Sequence, residues 1–305
     1  MIMEISIKGL KKRFGRLEVL KNIDLELRSG QFWALLGRNG EGKSTLMRIL
    51  MQQLPADGGE LIFDGLPASA KEHARDGSLL KKIYRIDEGI TYDLQCPLKE
   101  FYSHVSRFYP HWVQHEFERL VDLLKIPLDR MPAELSRGQR VQIQIAAAIA
   151  AQTEVIFLDE VTAVLDARAR SVVLQELATF CARGGTVMLA TNVATEVHGY
   201  ADHVCVLEAG ELVVKHAVVQ LEELYLKALY TNDERSATER PKAPWVPLQK
   251  NNNSSLSLLA RREHLKPSDL EALTPDRRAI TVEDVFLYHT GQPRLEEHSI
   301  QKESA

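Results

Sequence analysis

The stretch "FWALLGRNGEGKST", residues 32–45, most narrows what this chain can become. An apolar run enters a turn holding Gly37, Gly40 and Gly42, and the periodic segment "KSTLMRILMQQL" follows until Pro55 and "ADGG" stop it. Such a pattern predicts a buried strand, a tight loop and a helix whose first N–H groups have no intrahelical acceptor. From Gly37 to Ser44 the loop fits G-x-x-x-x-G-K-[ST]. Gly40 and Gly42 let the backbone turn its N–H groups inward around phosphate oxygens. Lys43 places positive charge on the outer phosphates, and the Ser44 hydroxyl is a ligand for Mg2+.

Two more apolar runs, "EVIFLDE" and "GTVMLATN", read as buried strands separated by a helix around "ARARSVVLQELATFCAR". That alternation predicts an α/β fold with a mixed, largely parallel sheet covered by helices. The first run ends in paired carboxylates. Asp159 would hold Mg2+ through its water shell, and Glu160 would orient or deprotonate an attacking water. Apolar strands ending in an acid are common, so these two gain their meaning from the phosphate loop. About twenty residues earlier, "ELSRGQR" puts Ser136 and Gly138 at the start of the helix "QRVQIQIAAAIA". Such a start is a second anion site, or simply an N-cap serine. Two phosphate-binding helix starts cannot face one nucleotide unless two copies meet head to tail.

With 305 residues, a net charge of −4 and 26% charged residues, the chain can bury a full core and has no global pull towards nucleic acid or anionic membrane. No nucleic-acid partner is expected. Cys96, Cys181 and Cys205 lack metal or redox spacing and suit a reducing cytosol. No stretch reaches the ~18 apolar residues of a membrane span.

The N-terminus reads as two strands, "MEISIKGL" and "NIDLEL", joined by a basic turn "KKRFGRLE". Residues 98–131 read as helical with an aromatic cluster, "EFYSHVSRFYPHW", and "DHVCVLEAGELVVKHA" as a hairpin turning at Ala209-Gly210. After residue 231 the composition turns to Asn, Ser, Pro and charge. The expected organisation is a nucleotide-binding domain over 1–230, a flexible linker over 231–256 and a small appended element over 257–305, within which "ITVEDVFLYHTG" regains apolar periodicity.

The combination resembles the nucleotide-binding subunit of ATP-binding cassette (ABC) transporters over roughly residues 1–225. Residues 37–45 are similar to the Walker A loop (Gly37, Arg38, Asn39, Gly40, Glu41, Gly42, Lys43, Ser44, Thr45). Residues 135–139, "LSRGQ", resemble the family signature (Ser136, Arg137, Gly138, Gln139), and 155–160 the Walker B strand. "AVLD" stands in the D-loop position, so Asp166 joins the candidate catalytic set. The resemblance implies a P-loop NTPase (RecA-like) fold, with an N-terminal antiparallel β subdomain and a helical subdomain inserted at about 89–140. It places Phe14 against adenine and implies a homodimer or heterodimer enclosing two ATP with Mg2+. The partner implied is an integral-membrane permease, whose coupling helix docks on the helical insert; internal packing is the alternative use of the aromatics there. The protein is then expected to be cytoplasmic, peripheral on the inner face of the membrane. The tail resembles that of drug-exporter ATPases and suggests export.

Several positions depart from the family pattern. A Thr/Ser-His pair ends the strand after Walker B, and here the pair is Thr191-Asn192. An amide donates a hydrogen bond to phosphate but carries no titratable proton. His198, expected on the following helix, is a poor substitute. The glutamine joining Mg2+ to the permease interface aligns with Glu88, which can ligate the metal itself, with Gln95 as a lesser candidate. Val161 replaces a proline, Ala163-Val164 the usual small pair, Arg38 another common proline and Arg137 the signature's second glycine. ATP binding and dimer closure are expected to survive, with slower hydrolysis. Two other readings are a slow ATP-dependent switch acting on a membrane partner, which the changes at 88 and 192 favour, and a small-molecule P-loop kinase, which leaves "LSRGQ" unexplained.

Overall fold

The computed structural model describes residues 3–68, 78–87, 96–231, 245–252, 255–266, 273–276 and 278–290. Glu88 and Gln95 lie outside the described residues. The chain divides into two compact units, Met1–Lys215 and His216–Ala305.

The first unit holds two sheets. In one, β1 (Ile5–Phe14), β2 (Leu17–Leu27), β4 (Gly58–Phe63) and β5 (Leu66–Pro67) pair antiparallel in the order β2-β1-β4-β5. Here the basic turn expected at "KKRFGRLE" is corrected. Register shifts along β1–β2 let the ladder run on through Lys11–Phe14, since a bulge re-aims the chain where alternation fails. Lys12 is buried because its ammonium donates to Pro55 O at 2.7 Å and pairs with Asp57 Oδ1 at 2.9 Å.

The second sheet has the order β10-β9-β3-β8-β7-β6, from β3 (Phe32–Leu36), β6 (Ile83–Asp87), β7 (Val155–Asp159), β8 (Thr186–Thr191), β9 (His203–Glu208) and β10 (Glu211–Ala217). Its pairs from β9 through β6 are parallel, which explains the unbroken apolar runs: both faces are covered. Helix α1 (Lys43–Leu50) buries Leu46, Met47, Ile49 and Leu50 in one cluster with Leu20 and Leu25 of the first sheet and Phe157 and Met188 of the second. Burying such side chains is worth about 1.5–3 kcal/mol each, so the phosphate loop is anchored at its helical end.

A short helix α2 (Ser78–Lys82) precedes β6. The helical insert comprises α3 (Leu98–Val105), α4 (Gln114–Leu124) and α5 (Arg137–Ala150). Part of its aromatic cluster packs internally, the alternative use expected, and part is exposed. Tyr102 is buried 5.3 Å from Phe117, which lies 5.2 Å from Trp112, whereas Phe108 is 71% exposed. Helix α6 (Ala167–Ala182) follows β7, and its Arg119 partner on α4 bridges Glu116 and Glu176, at 2.9 and 2.6 Å.

The second unit corrects the expected domain limits. Strand β11 (Tyr225–Thr231) pairs with β13 (Ser255–Arg261) and β14 (Thr274–Pro275), and β12 (Val246–Asn252) pairs with β13. Residues 225–230 therefore belong to the second unit's sheet, and part of the expected linker is a strand; 232–244 lie outside the described residues. A short helix α7 (Leu221–Leu224) leads into β11. Helix α8 (Val282–Thr290) lies in the stretch of the tail with apolar periodicity and buries Val282, Val285, Phe286 and Leu287. Lys227 and Asp284, both buried, pair at 2.7 Å between β11 and α8.

Candidate functional site

Three neighbouring parallel strands deliver the site. β3 ends at Leu36, opposite Thr191 of β8, and Asp159 of β7 stands opposite Ala190. The loop after β3, the Thr191-Asn192 pair and the paired carboxylates therefore emerge together at the carboxyl edge of the sheet, where open α/β sheets bind ligands.

Close approach and left-handed backbone explain the glycines. A Cβ on Gly37 would lie 2.7 Å from Leu207 O, and Gly42, the N-cap of α1, has φ +106°. No side chain caps α1, so its first-turn N–H groups point at the loop's interior, ready for an anion. Lys43 is buried. Its ammonium donates to Gly37 O at 2.9 Å and Arg38 O at 3.2 Å and pairs with Glu160 Oε1 at 3.0 Å. Ser44, in the first turn, donates its hydroxyl to Asp159 Oδ1 at 3.1 Å, and Thr45 is partly buried beside it.

Glu160 follows the strand with φ +53°, held by its N–H bonding to Ala190 O at 2.9 Å. That conformation is costly for a non-glycine residue, and it turns the carboxylate back over Lys43. Burial pushes the Asp159 carboxyl above its ordinary range. The Ser44 hydroxyl opposes this, Glu160 adds to it, Lys43 opposes it and Asp87 adds again. Asp87 is a residue that sequence reasoning missed: it ends β6 directly across the ladder from Asp159 and is paired with Arg85. Asp159 and Glu160 thus lie beside Lys43, with Asp87 facing Asp159 across the ladder. Hard oxygen donors of this kind, Ser44 Oγ and Asp159, fit Mg2+, although among the described residues no group of three or more His, Cys, Asp or Glu would cage a metal by itself. The remaining ligands must come from phosphate and water.

Asn192 leaves β8 exposed, and its Nδ2 donates to Asn39 Oδ1 of the phosphate loop at 3.0 Å. His198 does not lie on a helix; it sits exposed in the turn after the 3-10 segment Ala194–Val197. The sequence alone does not show what Glu41 does in the loop. Its carboxylate accepts the N–H of Ala209 in the β9–β10 turn, tying the loop to a turn that also accepts from Lys21 through Gly210 O at 2.8 Å. Phe14, at the end of β1, is 48% exposed with the Lys12 ammonium 5.5 Å from its ring centre.

The signature segment is built differently. Ser136 caps α5 by accepting from Gln139 N at 3.2 Å, and Gln139 Oε1 accepts the Ser136 N–H at 3.0 Å. This reciprocal capping box sets the helix start, and Arg137 begins α5. A Cβ on Gly138 would lie 2.9 Å from Val164 O, so the loop after Glu160 rests against the signature glycine. Asp166 N-caps α6, accepting from Ala169 N at 2.8 Å.

Among the described residues no helix is long and apolar enough to cross a membrane. A family model described as "ABC transporter" matches residues 20–163. The aliphatic sulfonates import ATP-binding protein of Pseudomonas putida is 34% identical over 219 residues, covering 68% of this chain and 74% of that one. The spermidine/putrescine import ATP-binding protein of Thermotoga maritima is 29% identical over 69% of this chain, which spans 57% of that protein's length. The Nod factor export ATP-binding protein of Rhizobium leguminosarum is 25% identical and covers 94% of this chain and 95% of itself. Among solved structures, the ATP-binding subunit of an ABC transporter superposes with a TM-score of 0.63 at 21% identity, over 72% of this chain and 92% of that one.

Proposed function

Because the chain belongs to the ABC transporter family, as an ATP-binding subunit and ATPase, we propose that two copies, or this chain and a similar one, close head to tail around two ATP molecules and so drive a separate integral-membrane permease. The observation that carries this reading is the convergence of Lys43, Ser44, Asn192, Asp159 and Glu160 from adjacent strand ends, on a loop lined with free helix N–H groups. It provides for triphosphate at one place and for attacking water at another.

In this reading Phe14 stacks on adenine, and the loop from Gly37 to Thr45 holds the phosphates. Ser44 and Asp159 would hold Mg2+, with Glu88 proposed as a further ligand, and the metal would supply neutralisation of charge on the outer phosphate oxygens. Lys43 exchanges its pairing with Glu160 for a phosphate oxygen. That exchange frees the Glu160 carboxylate to accept a proton from the attacking water. Asn192 lets go of Asn39 and donates to the γ-phosphate. Ser136 and Gly138 of the second protomer cover the same phosphate, with Arg137, Gln139 and Asp166 fixing the approach.

Export is the proposed direction. The exporter relative aligns along nearly the whole chain, second unit included, while the two importers align over 68–69% of it. The protein would sit at the inner face of the membrane through its permease. A slow switch remains a second reading, supported by the amide at Asn192. Turnover of MgATP measured with and without a co-purified membrane partner tests both: stimulation by the partner together with vectorial flux supports transport, and partner-insensitive slow turnover supports the switch.

A further inference from the structure

Glu196 is a buried carboxylate that no step above employs. It is 8% exposed, in the 3-10 segment that follows Asn192. A buried, acceptor-only group of this kind is costly unless its lone pairs are met, and here three elements meet them. Glu196 Oε2 accepts from Thr162 Oγ1 at 2.5 Å and from Thr191 Oγ1 at 3.1 Å, while Oε1 pairs with Arg170 Nη1 at 3.5 Å. Both threonines are themselves buried.

Each partner leads to a different part of the site. Thr191 is the last residue of β8, and its hydroxyl also accepts the Val193 N–H at 3.1 Å, so it brackets Asn192 from both sides. Thr162 lies two residues beyond Glu160. Arg170, on α6, donates to Thr162 O at 3.1 Å and to Leu165 O at 3.0 Å, and so fixes the course of the loop 162–165. Within that loop Val164 O rests against Gly138. One carboxylate therefore joins the mount of Asn192, the segment leaving Glu160 and, through it, the start of the signature helix.

We propose that Glu196 is a positioning residue for ATP turnover, locking Asn192 and the loop 162–166 into one unit so that the placement of one sets the other. The inference rests on the ATPase reading. It deepens that reading by assigning a residue, beyond the three motifs, on which the alignment of Asn192 depends. A side chain that touches no substrate can still govern rate when it fixes one that does.

The test is a double-mutant cycle on the full-length chain. Glu196→Gln can keep both threonine bonds on its carbonyl oxygen and lose only the pairing with Arg170, whereas Thr191→Val cuts the tie to β8 with little change in shape. We expect Thr191→Val to lower kcat tenfold or more, to leave fluorescent-ATP affinity and Tm close to wild type, and to be rescued by Thr191→Ser. We further expect Asn192→Ala to cost at least fivefold less in the Thr191→Val background than in the wild type, and Glu196→Gln to give an intermediate kcat. Multiplicative losses, or a kcat that falls only in step with Tm and affinity, overturn the proposal. A wild-type chain that fails to turn over MgATP, alone and with its membrane partner, overturns the ATPase reading itself, which the cycle distinguishes.

Discussion

Asn192 Nδ2 donates to Asn39 Oδ1 across 3.0 Å and so joins the end of β8 to the phosphate loop. In the proposed reading this donor turns from Asn39 to the γ-phosphate, and an amide does so without a titratable proton. Asn192→Ala should therefore lower kcat by about ten- to a hundredfold, the scale of losing one transition-state donor. Asn192→His should be at least as active as the wild type and should introduce an ionisation near the ordinary histidine range. Steady-state kcat between pH 5.5 and 8.5 reads both effects. A clear fall for Asn192→His with unchanged binding would make the asparagine an adapted residue in its own right.

Gly138 has no room for a side chain, since a Cβ would stand 2.9 Å from Val164 O. Gly138→Ala must shift the loop 162–166 or the helix start, at a cost of about 1–3 kcal/mol. Turnover should fall at least tenfold while ATP affinity of the monomer stays within about twofold. Equal losses in affinity and turnover would place the strain in the phosphate loop instead.

The Lys227–Asp284 pair is buried, and the Thr281 N–H also donates to Asp284 Oδ2 at 2.9 Å. Lys227→Met removes the ammonium paired with this buried carboxylate and should destabilise the second unit by about 3–5 kcal/mol. The double variant Lys227→Met/Asp284→Leu should recover much of that. Urea unfolding followed by Trp245 fluorescence, with Trp33 and Trp112 replaced by Phe, measures it.

His289 accepts from, or donates to, the Tyr225 hydroxyl at 2.9 Å. Burial, with the Arg261 guanidinium adding to it, pushes the imidazole pKa down to about 4. The unfolded chain, with an ordinary histidine pKa near 6.5, then binds more protons than the folded one between these values. Stability from this group is full above about pH 6.5 and is lost as the pH falls towards 4. His289→Gln keeps a polar partner for Tyr225 and does not titrate. The urea midpoint of that variant should change less between pH 7 and 4.5 than the wild type's; identical slopes would assign the acid loss to other groups.

The phosphate loop, the Walker B acids and the sheet that carries them were legible because chemistry dictates them locally: a strand, glycines where side chains cannot fit, a lysine, a paired acid. What escaped depends on long-range pairing. Glu41 finds Ala209, and Glu196 finds Thr162 and Arg170, only once the strands are assembled. Asp87 gains its meaning from its register partner Asp159. The second unit's sheet was hidden because β12 is its edge strand; an edge needs no continuous apolar run and tolerates Pro247, so the segment reads as a linker. Lys12 misled in the same way, since a lysine announces a turn until Asp57 and Pro55 enclose it.

The central claim is that ATP is clasped between Lys43 of one protomer and Ser136 of the other. Two chains decide it, both carrying Glu160→Gln to block hydrolysis. One adds Lys43→Ala; the other adds Ser136→Asp, which preserves the helix cap and repels phosphate. Light scattering after size exclusion in MgATP should find each alone monomeric and their mixture dimeric, because the mixture restores one intact composite site. A mixture that stays monomeric while the Glu160→Gln parent dimerises would contradict the head-to-tail clasp, as would a parent that stays monomeric both alone and with its membrane partner.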